Sequence, residues 1–145
     1  MNNLQIKQVN YSEAKLAIEA IRIKVFQEEQ KVPAELEFDG LDESSLQLLA
    51  YLDRKAVGTA RIREVEKQTA KIERLAVLPE ARGNGIGRKI METALKIASD
   101  RHYITVVVNA QEYIKKLYQR LGFEQIGDTF EEANITHVKM IKKLY

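Results

Sequence analysis

The feature that most constrains this chain is Arg82-Gly83-Asn84-Gly85-Ile86-Gly87-Arg88-Lys89. Alternate glycines let the backbone take positive φ and approach a ligand closely. Just ahead lies a strand-like run, residues 71–77, stopped by Pro79. Just behind, from residue 85 to about 100, Ile86, Ile90, Met91, Ala94, Leu95 and Ala98 fall on one helical face. A strand, a glycine turn and a helix start together suit a phosphate, because free N–H groups and the helix dipole attract anions; the other reading is an ordinary glycine-rich turn before a helix. Arg82, Arg88 and Lys89 add charge-assisted contacts. The glycines are spaced two and two, and Gly87 is followed by Arg-Lys-Ile. Neither the dinucleotide fingerprint nor the P-loop pattern is met.

The rest of the chain supplies a mixed sheet around that loop. Residues 4–9 read as a first strand, with Asn10 or Ser12 as the cap of a helix carrying Ala14, Ala17, Ile18, Ile21 and Val25 on one face. Val32-Pro33 ends that helix or starts a second short one. Residues 46–52 and the alternating residues 56–63 predict a hairpin, joined by residues 71–77 as a third strand. Residues 103–108 are an unbroken β-branched run, the mark of a strand buried on both faces. Residues 110–121 predict a helix stopped by Gly122, and residues 124–130 and 135–144 a final antiparallel pair. The order predicts one α/β (α+β) domain over residues 1–145, with about six to seven mostly antiparallel strands and about four helices.

Composition removes several chemistries. A chain of 145 residues fits one core, and 45% hydrophobic with 30% charged residues makes it a soluble one. The chain has no cysteine, which excludes disulfides, thiolate metal sites and a cysteine nucleophile. Two histidines, His102 and His137, argue against a histidine-rich metal site and read as structural or surface residues. A net charge of +2 gives no basic stripe for nucleic acid. There is no signal-peptide pattern and no membrane-length apolar run, so the expectation is a cytoplasmic protein.

The segment Ile72-Glu73-Arg74-Leu75-Ala76-Val77-Leu78-Pro79-x-x-Arg82-Gly83-x-Gly85-Ile86-Gly87 closely resembles the acyl-CoA-binding motif of the Gcn5-related (GNAT) N-acetyltransferases. Asn109-Ala110-Gln111-x-Tyr113-(x)4-Tyr118-(x)3-Gly122-Phe123 resembles the same family's second signature, a helix ending in Tyr-x-x-x-Gly-Phe. Phe26 through Pro33, then Glu37-Phe38-Asp39 and Asp42, resembles a bacterial acetyltransferase subgroup with a Phe-Val-x-Glu-Gln-x-x-Pro segment. That subgroup often has histidine where this chain has Gln47 and Asn109. The resemblance implies the GNAT fold and acetyl-CoA as cosubstrate, with no metal. It implies that Leu75, Ala76 and Val77 bond the pantetheine arm through their backbones and that Arg82, Gly83, Asn84, Gly85, Ile86, Gly87 and Arg88 wrap the pyrophosphate. Asn109 meets the arm from a neighbouring strand that splays away, and Tyr113 joins the same cofactor-binding set.

The chemistry this implies is direct attack of a small-molecule or peptide amine on the acyl thioester. An ammonium with pKa near 10.4 must first lose a proton, at a cost of about 4.6 kcal/mol at pH 7. Glu73, on the strand leading into the loop, is the first candidate base; paired with Arg61, Arg63 or Arg74 it would instead be structural. Glu29, Glu37 and Asp39 are weaker candidates. Tyr118 is the candidate acid for the departing thiolate, with core packing as its other reading. The acidic run Glu28, Glu29, Glu35, Glu37, Asp39, Asp42, Glu43 reads either as a lure for a cationic acceptor or as a solvated loop. Two functions from different classes remain, an active N-acyltransferase and an acyl-CoA-binding module without turnover. A homodimer is compatible with either.

Overall fold

The alternating segment at residues 56–63 lies in the long third strand of a seven-stranded sheet, in a computed structural model that describes residues 3–145. The chain runs β1 (Leu4–Val9), α1 (Tyr11–Arg22), a π-helical turn (Ile23–Glu29), α2 (Ala34–Glu37), β2 (Leu46–Leu52), β3 (Lys55–Glu66) and β4 (Thr69–Val77). After the glycine loop come α3 (Ile86–Asp100), β5 (Thr105–Gln111), α4 (Lys115–Arg120), β6 (Glu124–Glu132) and β7 (Ile135–Lys143). Asn10 is the cap of α1: its side chain accepts the Ser12 N–H at 3.0 Å. Pro33 stands just before α2 in an extended conformation, where a proline without an N–H costs nothing.

Sheet order is β1-β2-β3-β4-β5-β7-β6, antiparallel throughout except for β4 against β5. That parallel pair needs a crossover, and α3 is it. Ile86, Ile90, Met91, Ala94 and Ala98 of α3 pack on one sheet face against Val57, Ala60, Ile62, Ala70 and Ile72. Gly58 permits this closeness, since a Cβ there would sit 2.8 Å from Ile90 Cδ1. On the other face Ile18, Ile21, Val25 and Phe26 pack against Leu49 and Ala76.

A bulge in β4 decides what the site can be. Arg61 faces Glu73 and Thr59 faces Ala76, so one residue of β3 opposes two of β4. Arg74 takes the strain at φ 59°, unusual for a residue with a side chain. The pleat changes phase there. Ala70 and Ile72 belong to the α3 core before the bulge; Leu75 and Val77 pack against it afterwards, and Ala76 turns to the α1 side.

Two expectations shift. The β5 run is not buried on both faces: Val106, Val108 and Ala110 are buried, while Val107, Asn109 and Gln111 are only partly so, the last two facing a cleft. The helix expected at residues 110–121 is shorter. Ala110 and Gln111 complete β5, Glu112–Ile114 form a 3-10 turn, and α4 is only Lys115–Arg120. Ala110 and Gln111 stay extended because they pair with Val138 and His137 of β7, and tertiary pairing outweighs helical spacing.

Candidate active site

Strands β4 and β5 pair only where Thr69, Ala70 and Lys71 meet Thr105, Val106 and Val107. Beyond that point they splay, opening a cleft of about 720 Å³. Its walls bring together Glu73, Leu75, Ala76, Val77, Arg82, Gly83, Gly85, Ile86, Gly87, Arg88, Asn109, Tyr113 and Tyr118. Of the loop residues and candidate bases picked from sequence, Asn84, Lys89, Glu29 and Asp39 stand outside the wall; the Asn84 side chain donates to the Ala81 carbonyl at 3.0 Å and braces the turn. A hollow of similar volume beside the N-terminus of α1 gathers none of these groups.

The loop has the form the sequence predicts. Gly83 and Gly85 have φ of +85° and +72°, and a Cβ built at either meets nothing within 4 Å. Gly85 caps α3 without a side-chain hydrogen bond, so the first N–H groups of that helix point outward unshared. Arg88 is half-exposed on the first turn of α3, within 3.7 Å of Glu92. The set suits a pyrophosphate: backbone donors, a positive helix end and guanidinium groups beside it.

Tyr118 is held by the way α4 stops. The Phe123 N–H reaches back to the Tyr118 carbonyl at 3.0 Å, and Gly122 takes φ 93° to allow it. Phe123 then packs edge-on against the Tyr118 ring, centroids 5.8 Å apart. The Tyr-x-x-x-Gly-Phe signature is thus a helix stop that fixes one ring in the cleft. Burial pushes the Tyr118 hydroxyl far above a free phenol's range, so it stays protonated.

The carboxylates are arranged otherwise than the sequence predicts. Glu73 bonds Arg63, lies 2.9 Å from Arg61 and 3.4 Å from Lys71. Burial alone would raise its pKa, but Arg63, Arg61 and Lys71 outweigh burial and hold it low. A carboxylate so held is a weak base. The geometry therefore matches its structural reading, with Lys71 in place of Arg74. Asp42 accepts from Arg22 at 2.6 Å and from Arg61 at 3.0 Å; Asp39 accepts from Arg61 at 2.6 Å; Glu37 pairs with Arg22. Arg22 and Arg61 are 1% and 0% exposed, so this is a buried lattice tying α1, α2 and their loop to β3 and β4. Glu37, Asp39 and Asp42 are neither a solvated loop nor a free lure for cations; they are already neutralised.

Two groups escaped the sequence reading. Gln30 and Gln111 exchange amide hydrogen bonds, at 2.8 and 3.3 Å, joining the α1 side to the end of β5. His137, read as structural or surface, lies in the cleft wall, 6% exposed. The signal that could have found it is its register: β7 pairs Gln111 with His137.

A mixed sheet with a splayed parallel pair, a glycine loop at a helix start and a tyrosine in the cleft define an acyl-CoA-binding transferase fold. Residues 8–144 match the Acetyltransferase (GNAT) domain family, and the chain belongs to it. The chain is accordingly an acyl-CoA-dependent acetyltransferase. It is 35% identical to the Bacillus subtilis protein named Uncharacterized N-acetyltransferase YjcF, over 84% of this chain and 87% of that one. It is 34% identical to the UPF0039 protein C11D3.02c of Schizosaccharomyces pombe, over 96% and 90%. Among solved structures, an acyl-CoA N-acyltransferase from Pseudomonas aeruginosa superposes with TM-score 0.83 at 27% identity, over 98% and 99% of the two chains. Escherichia coli ElaA superposes at 0.86 with 23% identity, over 97% and 99%, which shares the fold.

Proposed function

We propose that this protein transfers an acetyl group from acetyl-CoA to a primary amine by direct attack. The observation that carries the reading is the cleft itself, which joins the glycine loop, the splayed edges of β4 and β5, and Tyr118 in one continuous wall. The loop's N–H groups and Arg88 hold the pyrophosphate, and the cleft-facing edge of Leu75, Ala76 and Val77, whose Val77 carbonyl is held by Arg82, lies where a pantetheine amide would add to the sheet. Asn109 faces that edge from β5, and Tyr113 stands on the rim, 75% exposed.

In the reaction the amine's lone pair forms a bond to the thioester carbonyl carbon and the carbon–sulfur bond breaks. The second amine proton is given up to water, and the departing thiolate takes one proton back to become the CoA thiol. A phenol pushed upward in pKa is a poor full proton donor to a thiol of pKa near 8.5 but a good hydrogen-bond donor to its thiolate. Tyr118 therefore stabilises the leaving sulfur, and the proton arrives from water. Glu73 fixes Arg61, Arg63 and the start of the bulge instead of removing a proton. With no cysteine in the chain, a thiol-bound acyl group has no place. No helix among the described residues is long and apolar enough to cross a membrane, and the proposed setting is the cytoplasm, where acetyl-CoA is at hand.

The test is release of CoA thiol from acetyl-CoA in the presence of an amine library, with the acetylated amine identified by mass spectrometry. Amine-dependent release supports transfer. Tight acetyl-CoA binding with no release from any amine would leave a binding module in its place.

A further inference from the structure

The geometry points to His137 as the base that takes the acceptor's ammonium proton, with Glu132 beside it as the second acceptor of that ammonium. The inference rests on the transfer reading above, which leaves the proton without a destination once Glu73 is tied to three cations.

The tautomer comes first. His137 Nδ1 lies 2.7 Å from the Ile135 carbonyl. A carbonyl only accepts, so in the neutral ring Nδ1 carries the hydrogen and Nε2 keeps its lone pair. The ring is held in place by stacking on Phe130, centroids 5.7 Å apart and planes 24° apart. It is a fixed imidazole with one free nitrogen.

Position comes next. Cross-strand partners share a sheet face, so His137 lies on the face of Gln111. Gln111 in turn bonds Gln30, which places that face on the α1 side of the sheet. Tyr118 packs within the core on the α3 side. The two groups thus approach the cleft from opposite faces of the sheet, so the group that takes the acceptor's proton and the group that meets the leaving sulfur do not compete for one place.

Nε2 lies 3.6 Å from Glu132 Oε2, too far for a hydrogen bond between them. Two acceptors 3.6 Å apart in one cleft wall are served by a donor with at least two hydrogens, and R–NH3⁺ is such a donor. One hydrogen passes to Nε2, leaving R–NH2 to attack. The resulting imidazolium lies against the Glu132 carboxylate, which is 55% exposed and opens a route for the proton to water. Other charged groups bordering the site are Lys139 on the same strand, Lys71, Glu73 and Arg74 on β4, Glu37 on α2 and Arg120 on α4.

The test uses the full chain, acetyl-CoA and two probe nucleophiles of similar size: a simple alkylamine, protonated at pH 7, and an alkoxyamine, neutral there. His137→Gln is expected to lose about 10²-fold or more in kcat with the alkylamine, within the usual range for a general base. It is expected to change the alkoxyamine rate by less than about threefold, because that nucleophile needs no base before attack. Equal losses with both nucleophiles would mark His137 as structural and overturn the proposal. A second readout needs no acceptor: ¹⁵N NMR of the imidazole should show a protonated Nδ1 and a bare Nε2 in the neutral ring, and the opposite tautomer would overturn the proposal. Absence of turnover by wild type with either nucleophile would sink the transfer reading and His137's role together. Turnover by wild type with equal losses in the variant would sink His137 alone.

Discussion

The Arg82 guanidinium donates to both carboxylate oxygens of Glu29, at 2.6 and 2.7 Å, while its Nε donates to the Val77 carbonyl at 3.0 Å. Glu29 therefore holds the cation that the loop offers to a pyrophosphate, at the end of the strand edge a pantetheine would follow. Both partners are about two-fifths exposed, and such a pair is worth about 0.2–1 kcal/mol. Glu29→Gln should free Arg82 and tighten acetyl-CoA binding by about two- to fivefold, with Arg82→Gln weakening it. Calorimetry at low salt measures both changes, and the gain from Glu29→Gln should shrink as salt rises.

Removing the phenol oxygen of Tyr118 keeps its ring against Phe123. Tyr118→Phe should therefore fold and bind acetyl-CoA as wild type does, yet lose about 10–10² in kcat, at or below the low end for acid–base groups, because a thiolate is already a fair leaving group. Steady-state kinetics with a fixed amine decides this. An unchanged kcat would return Tyr118 to a packing role.

Arg61 has no exposed surface and serves Asp39, Asp42 and Glu73 together. Arg61→Met should destabilise the protein by about 3–5 kcal/mol, since it leaves buried carboxylates unmatched. Urea unfolding of the variant measures it. A loss under about 1 kcal/mol would show that the lattice is dispensable.

The same lattice sets a pH dependence. The Arg61 hydrogen bonds hold Asp39 below the usual carboxylate range. At Asp42 burial pushes upward, but Arg22 and Arg61 outweigh it, and Glu73 is lowered against burial in the same way. Folded pKa values below unfolded ones mean that the folded state binds fewer protons at acid pH. The stability they contribute is complete above the unfolded carboxylate range, about pH 4, and is lost as pH falls through the depressed values. Urea midpoints from pH 7 to pH 3 should decline, and Arg61→Met should decline less.

Much of this was legible in the residues because local physics wrote it there. The periodicity of α3, the alternation of β3, the glycines of the loop and the Gly122 stop are short-range signals; the roles of Leu75, Ala76, Val77, Asn109, Tyr113 and Tyr118 came from the family resemblance, and of the cofactor-binding residues it implies all but Asn84 line one cleft. What sequence could not carry is long-range. Sequence left Glu73 open between a base and a partner of Arg61 or Arg63, because those arginines lie ten or more residues away on another strand and only the register of β3 on β4 decides. The acidic loop looked solvated because its partners Arg22, Arg61 and Arg74 are spread over three elements. Nothing local marks Arg74 as the residue that turns β4 over, and His137 shows its free nitrogen only once Ile135 and Glu132 are placed beside it.

The central claim is that the loop from Arg82 to Arg88 holds an acyl-CoA pyrophosphate. Titration of the purified protein with acetyl-CoA by calorimetry tests it most directly, with a Gly85→Glu, Gly87→Glu double variant beside wild type and urea unfolding to check that both fold. Gly85 has φ +72° and lies in open space, so the added carboxylate costs modest strain but sets negative charge and bulk on the phosphate site. Binding to wild type should saturate, and binding to the variant should be abolished. No binding to folded wild type, or equal binding to both, would contradict it.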